Sequence, residues 1–219
     1  MTAANVQPGA DHFPGYDVTA RSGAWDDVTA GVVLARLGPM PPPSFFTEAE
    51  EAVARPLLDR LLALDTEPKV PVFEMIDSRL AEGRLEGWRY DDMPAEPDAW
   101  RVSLACLDKD SMSELGTEFA RADRGEQIEL LEAVRTGDRW HGLPAARVWG
   151  LWMRYACTAF YSHPWAWNEI GFGGPAYPTG YKHLGGREGW EVQQVDGFDP
   201  EPWAQRVEQA RRRHQGAPR

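Results

Sequence analysis

Residues 161–181 hold one histidine, His163, and one carboxylate, Glu169, in a segment that otherwise consists mainly of aromatic residues, prolines and glycines. Such a pair could act as an acid and a base, or could contribute to a metal site. No second histidine lies four residues away, and Pro164 favours an extended backbone that ends a helix at His163. The pattern therefore favours a structural role, in which His163 caps the preceding helix. Asn168 and Glu169 would then hold loop backbone or an arginine such as Arg154.

The glycine run at 171–174 suggests a phosphate-binding loop, but its context does not agree. It lacks the preceding strand, the GxGxxG spacing and a lysine that opens a helix, since Lys182 comes eight residues later. The glycines are better suited to a sharp turn and a close approach to another surface. Ser162 has no GxSxG elbow, and Cys157 has apolar neighbours rather than an electropositive setting. These residues give no complete catalytic constellation.

Composition and charge restrict the class of protein. The chain has 219 residues, 42% of them hydrophobic, which is enough for one well-buried core or two small domains. A formal net charge of −11 argues against nucleic acid as a main partner. The N-terminal residues show no basic region, apolar run or arginine pair of an export signal, so we expect a cytoplasmic location. Cys106 and Cys157 lie outside CxxC pairs and are expected to be buried free thiols.

Apolar periodicity predicts an all-α fold, an irregular multi-helix bundle with long ordered loops rich in proline, glycine and aromatic residues. Alternating segments that could form strands are scarce, the clearest being Trp190–Val195. We expect an extended N-terminal arm over 1–25, a helical domain over 26–200 and a basic C-terminal helix or tail over 201–219. The first predicted helices run from Asp26 to Leu37 and from a capping box at Thr47 to about Leu64, and a third begins at Pro71. Two more are expected around Asp98–Leu107 and from a second capping box at Ser111. The last two cover Glu126–Arg135 and Pro144–Ser162, and the helix over Pro144–Ser162 is expected to be the central one.

Aromatic residues are concentrated towards the end of this pattern. Residues 140–181 hold 11 of the 24 aromatic residues, and 161–181 combine six aromatic rings with three prolines and four glycines. This composition is not expected to form a regular helix, nor to be a solvated linker. Two interpretations remain open, an internal core or a hot spot for another protein.

The block FYSHPWAWNEIGFGGPAYPTGY resembles the signature of the gluconate 2-dehydrogenase subunit 3 family. Its members are small (gamma) subunits of flavin-dependent sugar dehydrogenases of the glucose-methanol-choline (GMC) type. A looser similarity covers about 40–185 and includes the VPVFEMIDSRL segment and the helices at 125–131 and 144–162. The resemblance implies a non-catalytic accessory subunit without a cofactor of its own, whose large partner subunit binds FAD and oxidises a sugar, sugar acid or glycoside. Family members often carry a twin-arginine signal, which is not seen in this sequence. A cytoplasmic complex is therefore expected, and export together with a partner that carries its own signal is the alternative.

On this basis we expect a heteromeric complex with the large FAD-binding subunit, no nucleic acid, and no direct insertion into a membrane. No catalytic, cofactor-binding or metal-binding residue is assigned in this chain. The expected partner interface consists of Trp165, Trp167, Asn168, Glu169, Phe172, Gly173, Gly174, Pro175, Tyr177 and Tyr181. The N-terminal arm from Phe13 to Trp25 is a second candidate for partner contact. Two alternatives are a transient maturation chaperone for the flavoprotein and a stand-alone enzyme with a His163/Glu169 site.

Overall fold

The structure, a computed structural model, describes residues 16–65 and 67–175. The described residues divide into two compact units, one within 39–161 and a second that combines 16–38 with 162–175. We call the first the helical unit and the second the terminal unit. The predicted helical domain over 26–200 stays a prediction; within it, the described residues 162–175 group with the N-terminal residues 16–38.

The described residues are predominantly helical, which confirms the all-α prediction. In chain order the α-helices are α1 (Asp27–Ala35), α2 (Glu48–Leu62), α3 (Val72–Ala81), α4 (Glu96–Glu114), α5 (Arg124–Thr136), α6 (Ala145–Tyr161) and α7 (Pro164–Glu169). Short 3-10 helices span Val18–Ala24 and Phe119–Arg121. Strands β1 (Arg139–Trp140) and β2 (Leu143–Pro144) form an antiparallel hairpin. The segments Trp190–Val195 and 201–219 lie outside the described residues.

Most helix starts follow from capping side chains. Asp26 caps α1 as predicted, and Thr47 and Glu50 form the predicted capping box of α2. The second predicted box is wrong, because Ser111 lies inside α4 rather than before a new helix. Its buried hydroxyl donates to the carbonyl of Thr117 at 2.8 Å, so it fixes the chain that follows α4.

Helix α6 is the central helix of the helical unit, as its apolar sequence predicts, and it contacts α2, α3, α4 and α5. Its buried Trp152 donates from the indole nitrogen to the hydroxyl of Ser103 on α4 at 2.9 Å. Tyr155 donates its hydroxyl to Glu96 Oε2 at 2.6 Å. Burial and the Glu96 carboxylate raise the pKa of Tyr155, so the phenol stays neutral.

A buried carboxylate fixes the chain before α2. Asp77 on α3 is almost fully buried, and its Oδ2 accepts from the backbone N–H of Ser44 at 2.7 Å. Its Oδ1 accepts from the N–H groups of Phe45 and Phe46 at 3.0 and 2.9 Å. Three donors satisfy an ionised carboxylate that would otherwise be unfavourable inside a protein.

The two cysteines are free, but both are half-buried rather than buried as predicted. Burial raises the pKa of Cys106, and the nearby Asp110 adds to this shift. Within the described ranges, no helix is both long enough and apolar enough to cross a bilayer.

Candidate functional site

The chain after α6 forms a short helix instead of the irregular loop expected from its composition. Helix α7 has six residues, and Pro164 is at its start, where a missing N–H group costs no hydrogen bond. Glycines, which would disfavour a helix, begin only after α7, at Gly171. His163 is the N-cap, and its Nδ1 accepts from the backbone N–H of Trp165 at 3.2 Å. His163 therefore caps α7 and not the preceding helix.

The surroundings of His163 keep its imidazole neutral. The side chain is 1% exposed and also forms a hydrogen bond with the backbone of Arg36. Burial lowers the pKa of His163 to about 4, and the positive charge of Arg36 acts in the same direction. Both contacts serve to hold backbone, which does not favour the acid–base role considered for His163 and Glu169. Among the described residues, no group of three or more histidine, cysteine and carboxylate side chains is arranged to hold a metal ion.

Arg36, at the end of α1, supports α7 through a second contact. Its Nη1 donates to the carbonyl of Ser162 at 2.5 Å. Its guanidinium carbon also lies 5.8 Å from the centre of the Trp167 ring, within the range of a cation–π contact. Burial lowers the pKa of Arg36, but an arginine keeps its charge at all physiological pH values. Arg154, the predicted partner of Glu169, instead lies near Glu86 and Glu96 of the helical unit.

Residues 16–25 are held against the chain that includes α7. The backbone N–H of Val18 donates to Asn168 Oδ1 at 2.8 Å, and the Tyr16 hydroxyl donates to the carbonyl of Phe172 at 3.0 Å. Asn168 thus holds backbone, as predicted. The predicted extended conformation of residues 1–25 is wrong for Val18–Ala24, which form a 3-10 helix capped by Asp17. Residues 1–15 lie outside the described residues.

Gly174 allows a close approach between its backbone and two buried side chains of the terminal unit. Its φ of +81° is rarely adopted by other residues, and a Cβ atom there would lie 2.8 Å from Trp25 Cζ2 and 3.1 Å from Val18 Cγ2. These two side chains belong to an apolar cluster that also includes Tyr16, Val33 and Trp167. The glycine therefore brings backbone against an indole ring, which agrees with the close approach predicted for this run.

The predicted interface residues fall into three groups. Trp167, Asn168, Gly173 and Gly174 are buried, Trp165, Glu169 and Pro175 are half-buried, and Phe172 is exposed. Tyr177 and Tyr181 lie outside the described residues. The exposed Phe172 ring packs edge-to-face on Trp167, with ring centres 5.6 Å apart. Contact with a partner stays a prediction, and the buried members have a role in holding the terminal unit together.

Sequence reasoning missed the outward face of α1. Val33 points into the apolar cluster, whereas Val28 is 75% exposed and Val32 is 55% exposed. Gly31 and Ala35 are exposed as well, and together these four residues follow the i, i+3, i+4, i+7 spacing of a single helix face. The same spacing is visible in the sequence DVTAGVVLA. Helix α1 is therefore apolar on two faces. The face with Val33 is buried, and the face with Val28 and Val32 is exposed to solvent.

The family described as gluconate 2-dehydrogenase subunit 3 matches residues 48–174, more than half of the chain. The match begins in the first turn of α2 and ends at Gly174, so it includes α2 to α7. No curated protein and no solved structure is significantly similar to the chain. The match confirms the resemblance found in the sequence signature. This chain belongs to the gluconate 2-dehydrogenase subunit 3 family.

Proposed function

We propose that this chain is the non-catalytic small subunit that binds and stabilises a large FAD-dependent oxidoreductase of the GMC type, which acts on sugars or glycosides. The family match over residues 48–174 is the observation that carries the proposal. A family of dehydrogenase subunits implies membership of a multi-subunit dehydrogenase complex. FAD and the catalytic groups are then expected in the partner, and the complex is expected in the cytoplasm, which cell fractionation would test.

The site geometry supports a binding role over a stand-alone enzyme. A His163/Glu169 enzyme would need an accessible imidazole, but His163 is buried and caps α7. The cluster around Trp167 and Asn168 has the character of a small core. Such a core would hold the exposed residues of the terminal unit in a fixed arrangement, which lowers the entropy lost on association.

Exposed apolar side chains of the terminal unit indicate where the partner would bind. Val28, Val32 and Leu34 of α1 are exposed, and so are Ile170 and Phe172 after α7. Apolar area left in water is unfavourable by about 25 cal/mol per Å², which a subunit interface would recover. We therefore place the partner contact on the outer face of α1 and on Phe172, with Trp167 and Asn168 directly beneath.

Co-expression of the tagged full chain with a neighbouring flavoprotein gene tests this proposal. The expected result is an equimolar complex on size-exclusion chromatography with the absorbance bands of a flavin. A colourless monomer recovered beside a soluble, separate flavoprotein would contradict it. A flavoprotein that needs the chain to mature, but is recovered without it, would favour the alternative of a transient chaperone.

Charge substitutions on two exposed helix positions locate the interface. Val32→Asp on α1 should weaken assembly at least about tenfold, because an unpaired charge in an apolar interface is strongly unfavourable. Val102→Asp is the matched control, since Val102 is an exposed valine on α4 of the helical unit. Equal loss of the complex with both variants, or with neither, would contradict an interface on α1.

A further inference from the structure

Two aromatic rings are exposed together in the loop between α3 and α4. Trp88 and Tyr90 meet edge-to-face, with ring centres 5.1 Å apart and planes at 86°. The two residues are 49% and 44% exposed. No described residue of the range 83–95 belongs to a helix or strand, so side-chain contacts must fix the position of these rings. We call Trp88 and Tyr90 the aromatic pair.

Two arginines of α6 hold the aromatic pair in place. The guanidinium carbon of Arg147 lies 3.4 Å from the centre of the Tyr90 ring, and that of Arg154 lies 5.1 Å from the centre of the Trp88 ring. Both distances are within the range of a cation–π contact. Arg147 Nε is also 3.2 Å from Asp92 Oδ1. The rings therefore need little further ordering when another molecule binds, which lowers the entropy cost of association.

The aromatic pair also presents hydrogen-bond donors. The indole N–H of Trp88 and the hydroxyl of Tyr90 have no hydrogen bond to any described residue. Arg89, which lies between them in sequence, is exposed and has no ion pair within the described ranges. An indole N–H and a guanidinium donate and never accept. The loop therefore fits a ligand that is apolar and whose polar atoms are acceptors.

A run of prolines in the same helical unit has these properties. Residues 39–43 have the sequence PMPPP, and all four prolines are exposed. Proline fixes φ and disfavours the α region for the residue before it, so consecutive prolines favour a polyproline II conformation. Pro41, Pro42 and Pro43 lack an N–H group, so their backbone only accepts hydrogen bonds. No carbonyl of 39–43 accepts a hydrogen bond from a described residue.

The chain directly after the proline run is fixed on the helical unit. The Asp77 carboxylate accepts from the three backbone N–H groups of residues 44–46. Arg101 Nη2 donates to the carbonyl of Phe45 at 3.3 Å, and its guanidinium carbon lies 4.3 Å from the centre of the Phe45 ring. The proline run therefore begins at a fixed point of the unit, and its exposed rings and carbonyls are accessible to another molecule.

We propose that the proline run of one copy of this chain binds the aromatic pair of a second copy. Proline-rich segments in the polyproline II conformation bind to surfaces lined by aromatic rings, because their shape is already ordered. Proline rings pack on Trp88, and the donors of Trp88 and Tyr90 bond to carbonyls of the run. Within one copy, the recess beside the aromatic pair is lined by residues of 88–99 and α6, and the proline run is not part of it.

The size of this contact predicts a weak association. A stable, specific interface buries at least about 1,200 Å² in total, and a five-residue run on two rings covers less. A dimer with two-fold symmetry would contain the contact twice, because each copy supplies both surfaces. We expect a dissociation constant on the order of 100 μM. The association does not depend on the proposed function, since the flavoprotein takes no part in it.

Sedimentation velocity of the purified full chain tests the association, with the chain concentration raised from about 10 to 500 μM. We expect the mean sedimentation coefficient to increase with concentration. Trp88→Ala should weaken the association at least about tenfold, because it removes one ring surface and one donor. Tyr161→Ala is the matched control, since Tyr161 is a 50% exposed aromatic residue of the same unit, and it should leave the association unchanged. Val32→Asp should leave it unchanged as well, because α1 takes no part in this contact.

A peptide supplied in trans tests the chemistry of the contact. The probe is a fluorescein-labelled peptide of residues 38–44, GPMPPPS, and its fluorescence anisotropy is followed as the full chain is added. A control peptide has the four prolines replaced by alanine. We expect the control peptide to bind at least about tenfold more weakly, because its chain must be ordered on binding. Trp88→Ala should lose the GPMPPPS peptide, and an excess of this peptide should dissociate the wild-type chain into monomers.

Several results would overturn the proposal. A chain that stays monomeric over this range, or equal association of wild type and Trp88→Ala, would exclude the contact. Loss of association in Val32→Asp alone would place the contact on α1. Equal binding of the two peptides would exclude recognition of proline. A peptide that binds while the chain stays monomeric would mean that the aromatic pair binds prolines of another protein.

Two further measurements separate this contact from other roles of Trp88. Circular dichroism of each variant shows whether it is folded, and Trp88→Leu is a second variant that keeps an apolar side chain but lacks the ring and its donor. Trp88→Leu should lose the association as Trp88→Ala does, and retention would contradict the role of the ring. Both variants should still recover the flavoprotein on co-expression. If they lost it while the wild-type chain did not self-associate, the aromatic pair would be a contact with the flavoprotein instead.

Discussion

Replacement of Gly174 by alanine gives the sharpest test of how the terminal unit is packed. The residue has a φ of +81°, and an added Cβ would lie 2.8 Å from Trp25 Cζ2 and 3.1 Å from Val18 Cγ2. Atoms in ordinary contact are at least about 3.4 Å apart, so the indole or the backbone must move. Both neighbours are buried in the apolar cluster and have little room to shift.

Gly142 provides the matched control for this substitution. Its φ is +82°, but a Cβ there would meet nothing within 4 Å. Gly142→Ala should therefore cost only the unfavourable backbone conformation, about 1 kcal/mol of the free energy of unfolding. Gly174→Ala should cost this amount plus the overlap with two buried side chains, about 1–3 kcal/mol more. The difference between the two variants isolates the steric term, because the backbone term is shared.

Urea denaturation followed by tryptophan fluorescence measures both free energies. Hydrogen exchange at the Val18 amide adds a local probe, because this N–H is bound to Asn168 and should lose protection only in Gly174→Ala. Equal destabilisation by the two alanines, or unchanged exchange at Val18, would refute the close packing of Trp25 on Gly174. If the outer face of α1 is the partner contact, Gly174→Ala should also reduce recovery of the flavoprotein complex.

Two further predictions concern buried polar groups. The pKa of His163 is about 4 in the folded chain against 6.5 for an ordinary histidine, so its contribution to stability is complete above pH 6.5 and is lost as the pH falls towards 4. The free energy of unfolding should therefore fall by at most about 3 kcal/mol between pH 6.5 and pH 4. This fall should be absent in His163→Gln, which lacks the buried imidazole, and should be retained in His141→Gln. Asp77→Asn should lower the free energy of unfolding by about 2–4 kcal/mol. The reason is that one carboxylate oxygen becomes an NH2 group, which donates and so cannot accept from a backbone N–H. Asp91→Asn, at an exposed position, should change the urea midpoint little, and an equal effect of both substitutions would contradict the role of Asp77.

Helix positions were predictable where local chemistry determines them. Thr47 and Glu50 start α2 as predicted, because a capping box uses only neighbouring residues. The same pattern failed at Ser111, where the apolar stripe of α4 continues and packing keeps the helix intact. The failed prediction of a loop at 164–169 has a local cause, since a proline at the first helical position is compatible with a helix.

The candidate site was predictable only in part. The signature identified α7 and the glycines after it, but not the residues that α7 contacts. The Val18–Asn168 hydrogen bond joins residues 150 positions apart, and the Arg36–Ser162 bond joins residues 126 apart. No periodic pattern in a single sequence encodes such pairing. The aromatic pair of Trp88 and Tyr90 was missed for a similar reason, because the arginines that contact these rings come from α6.

The hydrogen bond between Val18 and Asn168 can form only late in biosynthesis, after Asn168 has been added to the chain. The two residues are separated by 150 positions, so at about 5–20 residues per second a ribosome needs roughly 8–30 s to supply Asn168 after Val18. Residues 39–161 emerge within this interval and contain their own core. During this time the apolar cluster lacks the Trp167 indole, so the side chains of Val18, Trp25 and Val33 stay exposed. A chain that ended before α7 would leave these apolar side chains exposed permanently. We expect chaperones and proteases to recognise such a truncated chain.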